Sequence, residues 1–386
     1  MEDAPGKTKQ GAKKLGVIAR WPWLAGLVLF LAAAWIPYRT NSPTGDIASI
    51  FNDHIRHAYT SHVFLKKGFE LYRVPLNVST ADVAYPHAQH NWGHMPLAYP
   101  PGQIGLFMPM ALLGHYVAMP TNIFGKWTVA YLLLFTCLGL VAWLKCLALG
   151  PPGFRLVLGL ITVPEFLHLS LSGFYDPIWL GCGAMVVLRL TQDRPMSALR
   201  WFAGAAFLHY RAVILLPLGI LAAWRAWHQR PFKKGDWATV AWCAFAFALV
   251  LVSFYWMYPV TAAQRATAPP LSLRIGTHSP MLTAIGISTL VMVVLAARRQ
   301  WLALGTVMVG TAIALSDFQG YEGYWHHAGA ILPVLLVPMV QKFHAPSALA
   351  TQAIAVFWII ALQSVVWLVN PVSFWLTFFH RFIPAL

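Results

Sequence analysis

Long apolar runs recur along this chain, and short turns rich in lysine and arginine separate them. A helix crosses the hydrocarbon core of a bilayer with about 20 such residues. Runs of this kind leave few folds open, because backbone polar groups in lipid must be satisfied inside helices or closed barrels. The sequence predicts crossings at 21–38, 127–148, 155–171, 176–190, 236–258, 279–297, 301–316, 328–341 and 349–370. The expected fold is an all-α polytopic membrane protein. Composition agrees: 58% of residues are hydrophobic and 10% charged, too few charges to cover a soluble surface. The expected organisation is one membrane domain over 1–386. It comprises a cytoplasmic tail 1–20, an external loop 39–126 with juxtamembrane helices, and a helical bundle 127–386. The first run follows Lys7, Lys9, Lys13, Lys14 and Arg20 without a clear small-residue cleavage site, so a retained helix is expected.

The net charge is +15, which on a soluble protein would point to nucleic acid. Here the basic residues occupy turns between apolar runs, where they set orientation. The bilayer is the expected partner, and nucleic acid is not. The four cysteines, Cys137, Cys146, Cys182 and Cys243, all fall in predicted spans, so no disulfide framework is indicated.

The basic turns also test the layout. Those at Lys145/Arg155, Arg189/Arg194/Arg200, Arg225/Arg230/Lys233/Lys234, Arg298/Arg299 and Lys342 should all be cytoplasmic, with the amino terminus. If 102–119 crossed fully, the Lys145–Arg155 turn would fall outside. That segment is therefore read as a helix on, or dipping into, the external leaflet. Segment 201–224 has basic clusters at both ends and is read as a re-entrant pair of short helices with its tip at His209-Tyr210-Arg211. Irregular backbone survives at membrane depth only where protein or a water-filled cavity surrounds it, so the tip is a candidate site. The external face receives the loop 39–101, the turn Ser172–Asp176, the loop 259–278 and the turn 317–327. Chemistry is expected on that face.

Within the first loop, Ile47 to Lys66 reads as an amphipathic helix that includes His57. Asp46 and Asp53 are seven residues apart, so a helix would set them on one face. Either is a candidate general base; equally, Asp46 reads as a helix cap and Asp53 as part of a solvated face. Tyr99-Pro100-Pro101-Gly102 sets an extended lead into the next helix. Ionisable residues in or beside spans include Glu165, His168, Asp176, His209, Arg211, Asp317, Glu322, His326 and His327. Such groups are expensive in lipid and mark functional cavities. Arg211, expected near mid-membrane, calls for an anion. A phosphate matches its planar fork, and a structural pair with Glu165 or Asp176 is the alternative. Arg265 and Arg274 in the external loop could meet the same phosphate or lipid headgroups. The histidines show no spacing of a known metal motif, so a divalent metal is possible but not required, and no cofactor is expected.

The ordered set of motifs resembles the GT-C superfamily of membrane glycosyltransferases, most closely family 87, the polyprenyl-phosphomannose-dependent mannosyltransferases. The matching residues are Asp46 or Asp53, Gly68-Phe-Glu-Leu71-Tyr72, Tyr99-Pro100-Pro101, Gly173-Phe-Tyr-Asp176, Ala203 to Arg211, and Tyr324-Trp-His-His327 before Leu332-Pro333. The resemblance implies a bundle of about nine to eleven transmembrane or re-entrant helices. It implies inverting transfer of a sugar, mannose first, from a polyprenyl-phosphate donor to a glycan or glycolipid hydroxyl. Asp46 or Asp53 would be the base. Arg211, Tyr210, His209, His326, His327, Arg265 and Arg274 would hold the donor phosphate and lipid. Tyr99, Asp176, Glu165, Glu322 and His57 would bind substrate. The implied location is a bacterial inner or plasma membrane, with the amino terminus cytoplasmic and the site external. A transporter of a lipid or anionic solute, or another lipid-linked glycan transferase or ligase, is the alternative.

Overall fold

A computed structural model of the chain describes residues 24, 52–77, 96–97, 99–117, 121–147, 176–229, 231–265 and 279–318. These residues are mostly helical, and no strand occurs among them. In chain order the helices are α1 (Asn52–Lys67), α2 (Pro101–Tyr116), α3 (Thr121–Leu147), α4 (Asp176–Thr191), α5 (Pro195–Leu208), α6 (Leu216–Gln229), α7 (Lys234–Arg265), α8 (Ser279–Ala297) and α9 (Trp301–Phe318). Short 3-10 helices Gly68–Tyr72 and Tyr210–Leu215 follow α1 and α5. Of the expected spans, 21–38 (apart from residue 24), 155–171, 328–341 and 349–370 lie outside the described residues.

The helix–turn pattern follows local chemistry. Gly68 has φ +55°, a left-handed conformation that ends α1 and that side chains other than glycine's resist. The turn then buries Leu71 and Tyr72 completely. Tyr59 Oη donates to Leu76 O (2.7 Å), and Leu97 N donates to Leu71 O (2.9 Å), which ties both ends of the loop 78–95 to α1. Burial pushes the Tyr59 phenol up to about 12, so it stays a neutral donor in this bond.

Helices α5 and α6 form a hairpin. Phe202 packs on Gly219, where an added Cβ would sit 2.5 Å from the ring. At the open end, Arg225 Nη1 donates to Leu190 O (3.1 Å) and lies 3.9 Å from the Asp193 carboxylate in the α4–α5 turn. The chain therefore returns to the level from which it left. Helix α7 climbs beside α5: the Arg200 guanidinium bonds Thr239 and Gly235 O low down, and Tyr210 meets Ser253 higher up. Trp224 of α6 and Trp301 of α9 line one apolar groove of about 520 Å³. These contacts gather the turns carrying Asp193/Arg194, Lys233/Lys234 and Arg298/Arg299 at one end of the bundle. Trp224, Trp227, Trp237 and Trp301 stand exposed at the same end.

Two apolar cores result. One fills the bundle among α3, α4, α5, α6, α8 and α9; the other joins α1, its 3-10 turn and α2. Leu208, the last residue of α5, packs against both. At the α3–α4 crossing, a Cβ on Gly181 would lie 2.5 Å from Gly139 Cα, so the backbones touch.

Two boundaries differ from the sequence expectation. Helix α3 begins at Thr121, not 127, which shortens the first loop. Helix α7 runs through Pro259 to Arg265, so the first part of the expected loop 259–278 is helical. Proline removes one internal hydrogen bond and kinks a helix, but flanking turns can carry the helix past it. The amphipathic helix expected from Ile47 to Lys66 is described over Asn52–Lys67, and residues 47–51 lie outside the described residues. Helix α2 has 16 residues, about 24 Å of rise, short of the roughly 30 Å hydrocarbon core. It packs mainly on α1.

Candidate functional site

The two cores meet at the end of the bundle opposite the basic turns, and polar side chains converge there. Asp176 opens α4 and is 6% exposed. Its Oδ1 accepts the indole N–H of Trp179, one turn on, at 2.9 Å. His209 Nε2 faces the same oxygen at 3.7 Å. The His209 ring also lies 5.6 Å from the Trp179 ring and 5.4 Å from the Tyr99 ring. On the far side of Tyr99 stands His57, 5.3 Å away and edge-on. His57 stacks on Phe107 at 5.3 Å.

Each imidazole has its proton placed by a neighbour. The backbone N–H of Arg211 donates to His209 Nδ1 (3.0 Å). A ring nitrogen that accepts carries no proton, so His209 is neutral with its hydrogen on Nε2, toward Asp176. The contact is therefore a dipole facing a carboxylate, not an ion pair. For His57, the partner is Gln103, which is fully buried. Thr60 Oγ1 gives its own proton to His57 O (2.8 Å) and so must accept from Gln103 Nε2 (2.9 Å). That orients the amide, and Gln103 Nε2 then donates to His57 Nδ1 (2.7 Å). Gln103 Oε1 has no hydrogen-bond partner among the described residues.

The Tyr-Pro-Pro-Gly-Gln stretch explains this convergence. Pro100 caps α2 in extended conformation (φ −71°, ψ 166°), and Pro101 takes the first helical position, where no N–H is needed. Gly102 lets α2 touch the end of α5: an added Cβ would lie 2.3 Å from Phe207 O. Gln103 then reaches His57. On the other flank, Tyr210 Oη donates to Ser253 Oγ (2.8 Å), which donates to Val250 O (2.9 Å). The nearby Tyr72 hydroxyl is buried with no hydrogen-bond partner among the described residues. Arg211 follows Tyr210 in the 3-10 helix and is half-buried.

Of the residues expected from the sequence, Asp176, His209, Tyr99 and His57 form one continuous cluster, and Tyr210 and Arg211 adjoin it. Asp53 lies on α1 and Arg265 ends α7, but their side chains lie outside the described set. Asp46, Glu165, Arg274, Glu322, His326 and His327 lie outside the described residues. Asp176, one of the two carboxylates considered as a structural partner for Arg211, faces His209. Sequence reasoning missed Gln103, Thr60, Trp179 and Ser253. The signal for Gln103 was present: a lone amide in the first turn of a largely apolar helix. Among the described residues, no three His, Cys, Asp or Glu side chains gather as metal ligands.

Replacing Gln103 by leucine removes both donors while keeping bulk. The variant is expected to lose about 1–3 kcal/mol, since His57 Nδ1 stays buried without its partner. Denaturation in detergent measures this; a variant as stable as the parent would show that the network adds nothing. Comparison with protein-family models, curated proteins and solved structures finds no match.

Proposed function

We propose that the chain is a polytopic membrane glycosyltransferase of the GT-C type. It transfers a sugar, mannose first, from a polyprenyl phosphate to a hydroxyl of a lipid-linked or cell-envelope glycan at the non-cytoplasmic face. The observation that carries this reading is the convergence of Asp176, His209, Tyr99 and His57 beside Arg211, at the end of the bundle opposite its basic turns.

Surface chemistry supports the membrane setting. Residues Lys234–Met257 of α7 are long and apolar enough to cross a bilayer, and 17% of the most apolar window is buried. A soluble core helix would be mostly buried. Exposed apolar side chains such as Leu251, Leu290 and Val293 suit lipid, and the tryptophans beside the basic turns suit an interface. Nineteen residues separate Lys234 from Ser253, a rise of about 28 Å. The tip at Tyr210 is level with Ser253. With Lys234 at the cytoplasmic interface, Arg211 therefore stands near headgroup depth on the far side. Such a depth suits a lipid-borne phosphate, whose tail stays in the bilayer.

In this reading the acceptor hydroxyl loses its proton to a carboxylate, Asp46 or Asp53, as the new bond forms. The leaving phosphate needs cations and donors and no general acid. Arg211 is the leading cation, with Tyr210, His326, His327, Arg265 and Arg274 as further candidates. Tyr99, Asp176, His57, Glu165 and Glu322 are the candidates for holding the sugar and acceptor.

The test is a panel of polyprenyl-phosphate sugars presented to the purified protein in nanodiscs, scored for binding and for transfer or donor hydrolysis. At least one donor should turn over. Asp46→Asn should lower turnover by about 10²–10⁴ while the protein stays folded. Full turnover in Asp46→Asn with loss in Asp53→Asn would move the base to Asp53. If no donor binds or reacts, and residues at the tip are labelled alternately from both sides, the chain is a transporter instead.

A further inference from the structure

His209 was expected to hold the donor phosphate, yet its Nδ1 is held by the protein itself and its Nε2 faces Asp176. It sits between α5 and the 3-10 helix with φ −149° and ψ 133°, the extended geometry of a helix cap. Its backbone N–H closes α5 on Ala205 O at 2.9 Å. Its Nδ1 accepts the Arg211 N–H at 3.0 Å, the first bond of the next turn. Its Nε2 looks at Asp176 Oδ1 at 3.7 Å, and that oxygen is itself held by Trp179 Nε1 at 2.9 Å. Trp179 and Tyr99 flank the imidazole, which is 8% exposed as a residue. The ring is therefore set with Nδ1 on the Arg211 amide and Nε2 toward Asp176.

We propose that His209 is a positioning residue for Arg211 and not a ligand for the donor. Asp176 orients the Nε2–H side of the ring, and Nδ1 in turn pins the Arg211 amide. The guanidinium thus starts from a fixed Cα, which lowers the ordering cost when a phosphate binds. This role rests on the transferase reading only in what Arg211 binds. The capping itself is independent of it.

The substitution that separates the two roles is His209→Asn. An asparagine at a cap offers a side-chain oxygen to the second helical N–H, as His209 Nδ1 does, but it cannot reproduce the imidazole Nε2–H. His209→Ala offers neither. Two readouts are taken on the full chain in nanodiscs of phosphatidylcholine. The first is hydrogen–deuterium exchange of the peptide covering the tip. The second is binding of decaprenyl monophosphate. Exchange at the tip should speed up about fivefold in His209→Ala, the usual size of a lost cap, and return to the parent rate in His209→Asn. Decaprenyl-phosphate affinity should fall by a similar factor in the alanine variant and recover with asparagine.

Restored exchange with binding still lost in His209→Asn would make His209 a direct ligand and overturn the proposal. Unchanged exchange in His209→Ala would overturn it as well. If the parent protein binds no decaprenyl phosphate, the transferase reading fails while the exchange measurement still decides the cap.

Discussion

Methionine in place of Arg211 is expected to weaken polyprenyl-phosphate binding by about tenfold to a hundredfold and leave the helical bundle folded. A hydrogen bond to a charged group is worth about 1.5–3 kcal/mol, and a guanidinium gives phosphate two parallel bonds at once. Arg211 sits in the 3-10 helix at the top of the α5–α6 hairpin, half-buried, beside Tyr210. Methionine keeps an unbranched apolar stem of similar reach, so packing along the side chain survives. Lysine should recover part of the affinity, because it restores the charge without the planar fork. Isothermal titration with a polyprenyl monophosphate at two salt concentrations measures the effect. Parent-like affinity in the methionine variant would assign Arg211 to structure.

Alanine at Gly102 should have the largest effect on the fold. The new Cβ would lie 2.3 Å from Phe207 O and 2.7 Å from Phe207 C, both backbone atoms. A rotamer change cannot relieve a backbone clash, so α2 must move away from the end of α5. Overpacking of this kind costs about 1–3 kcal/mol. The displacement would also separate Tyr99 from His209, because Gly102 follows the first and Phe207 precedes the second. Thermal stability and activity should fall together. Gly105→Ala is the internal control: its Cβ meets nothing within 4 Å. One turn along the same helix, that change should be neutral or stabilise by up to about 1 kcal/mol through helix propensity. Equal behaviour of the two variants would mean that α2 does not rest on α5.

Much of this architecture is legible in the residue order. The helical class follows from apolar runs that only helices satisfy, and the hairpin with its break at His209 follows from basic clusters at both ends of 201–224. The Tyr99-Pro100-Pro101 segment reads as an extended lead into a helix for local steric reasons, and Pro100 adopts that conformation. Local rules were weaker at boundaries. The expected span ends at 258, just before Pro259, yet the helix continues to Arg265 because one missing hydrogen bond does not end it.

By itself the sequence determined the periodicity, the turn chemistry and the set of ionisable residues in or beside its apolar runs. It named Asp176 and His209 as members of that set, and the family resemblance added Tyr99 and His57 as candidate substrate-binding residues. It could not say that they belong to one cluster, since His57 and His209 are 152 positions apart in the chain. Tertiary packing decided that, by resting Gly102 on Phe207 and so bringing α2 against the tip. Packing also decided proton placement. Gln103 and the Arg211 amide each donate to an Nδ1 and leave both imidazoles neutral. A tautomer is set by what lies within 3 Å of a ring nitrogen, and residue order alone does not carry that distance.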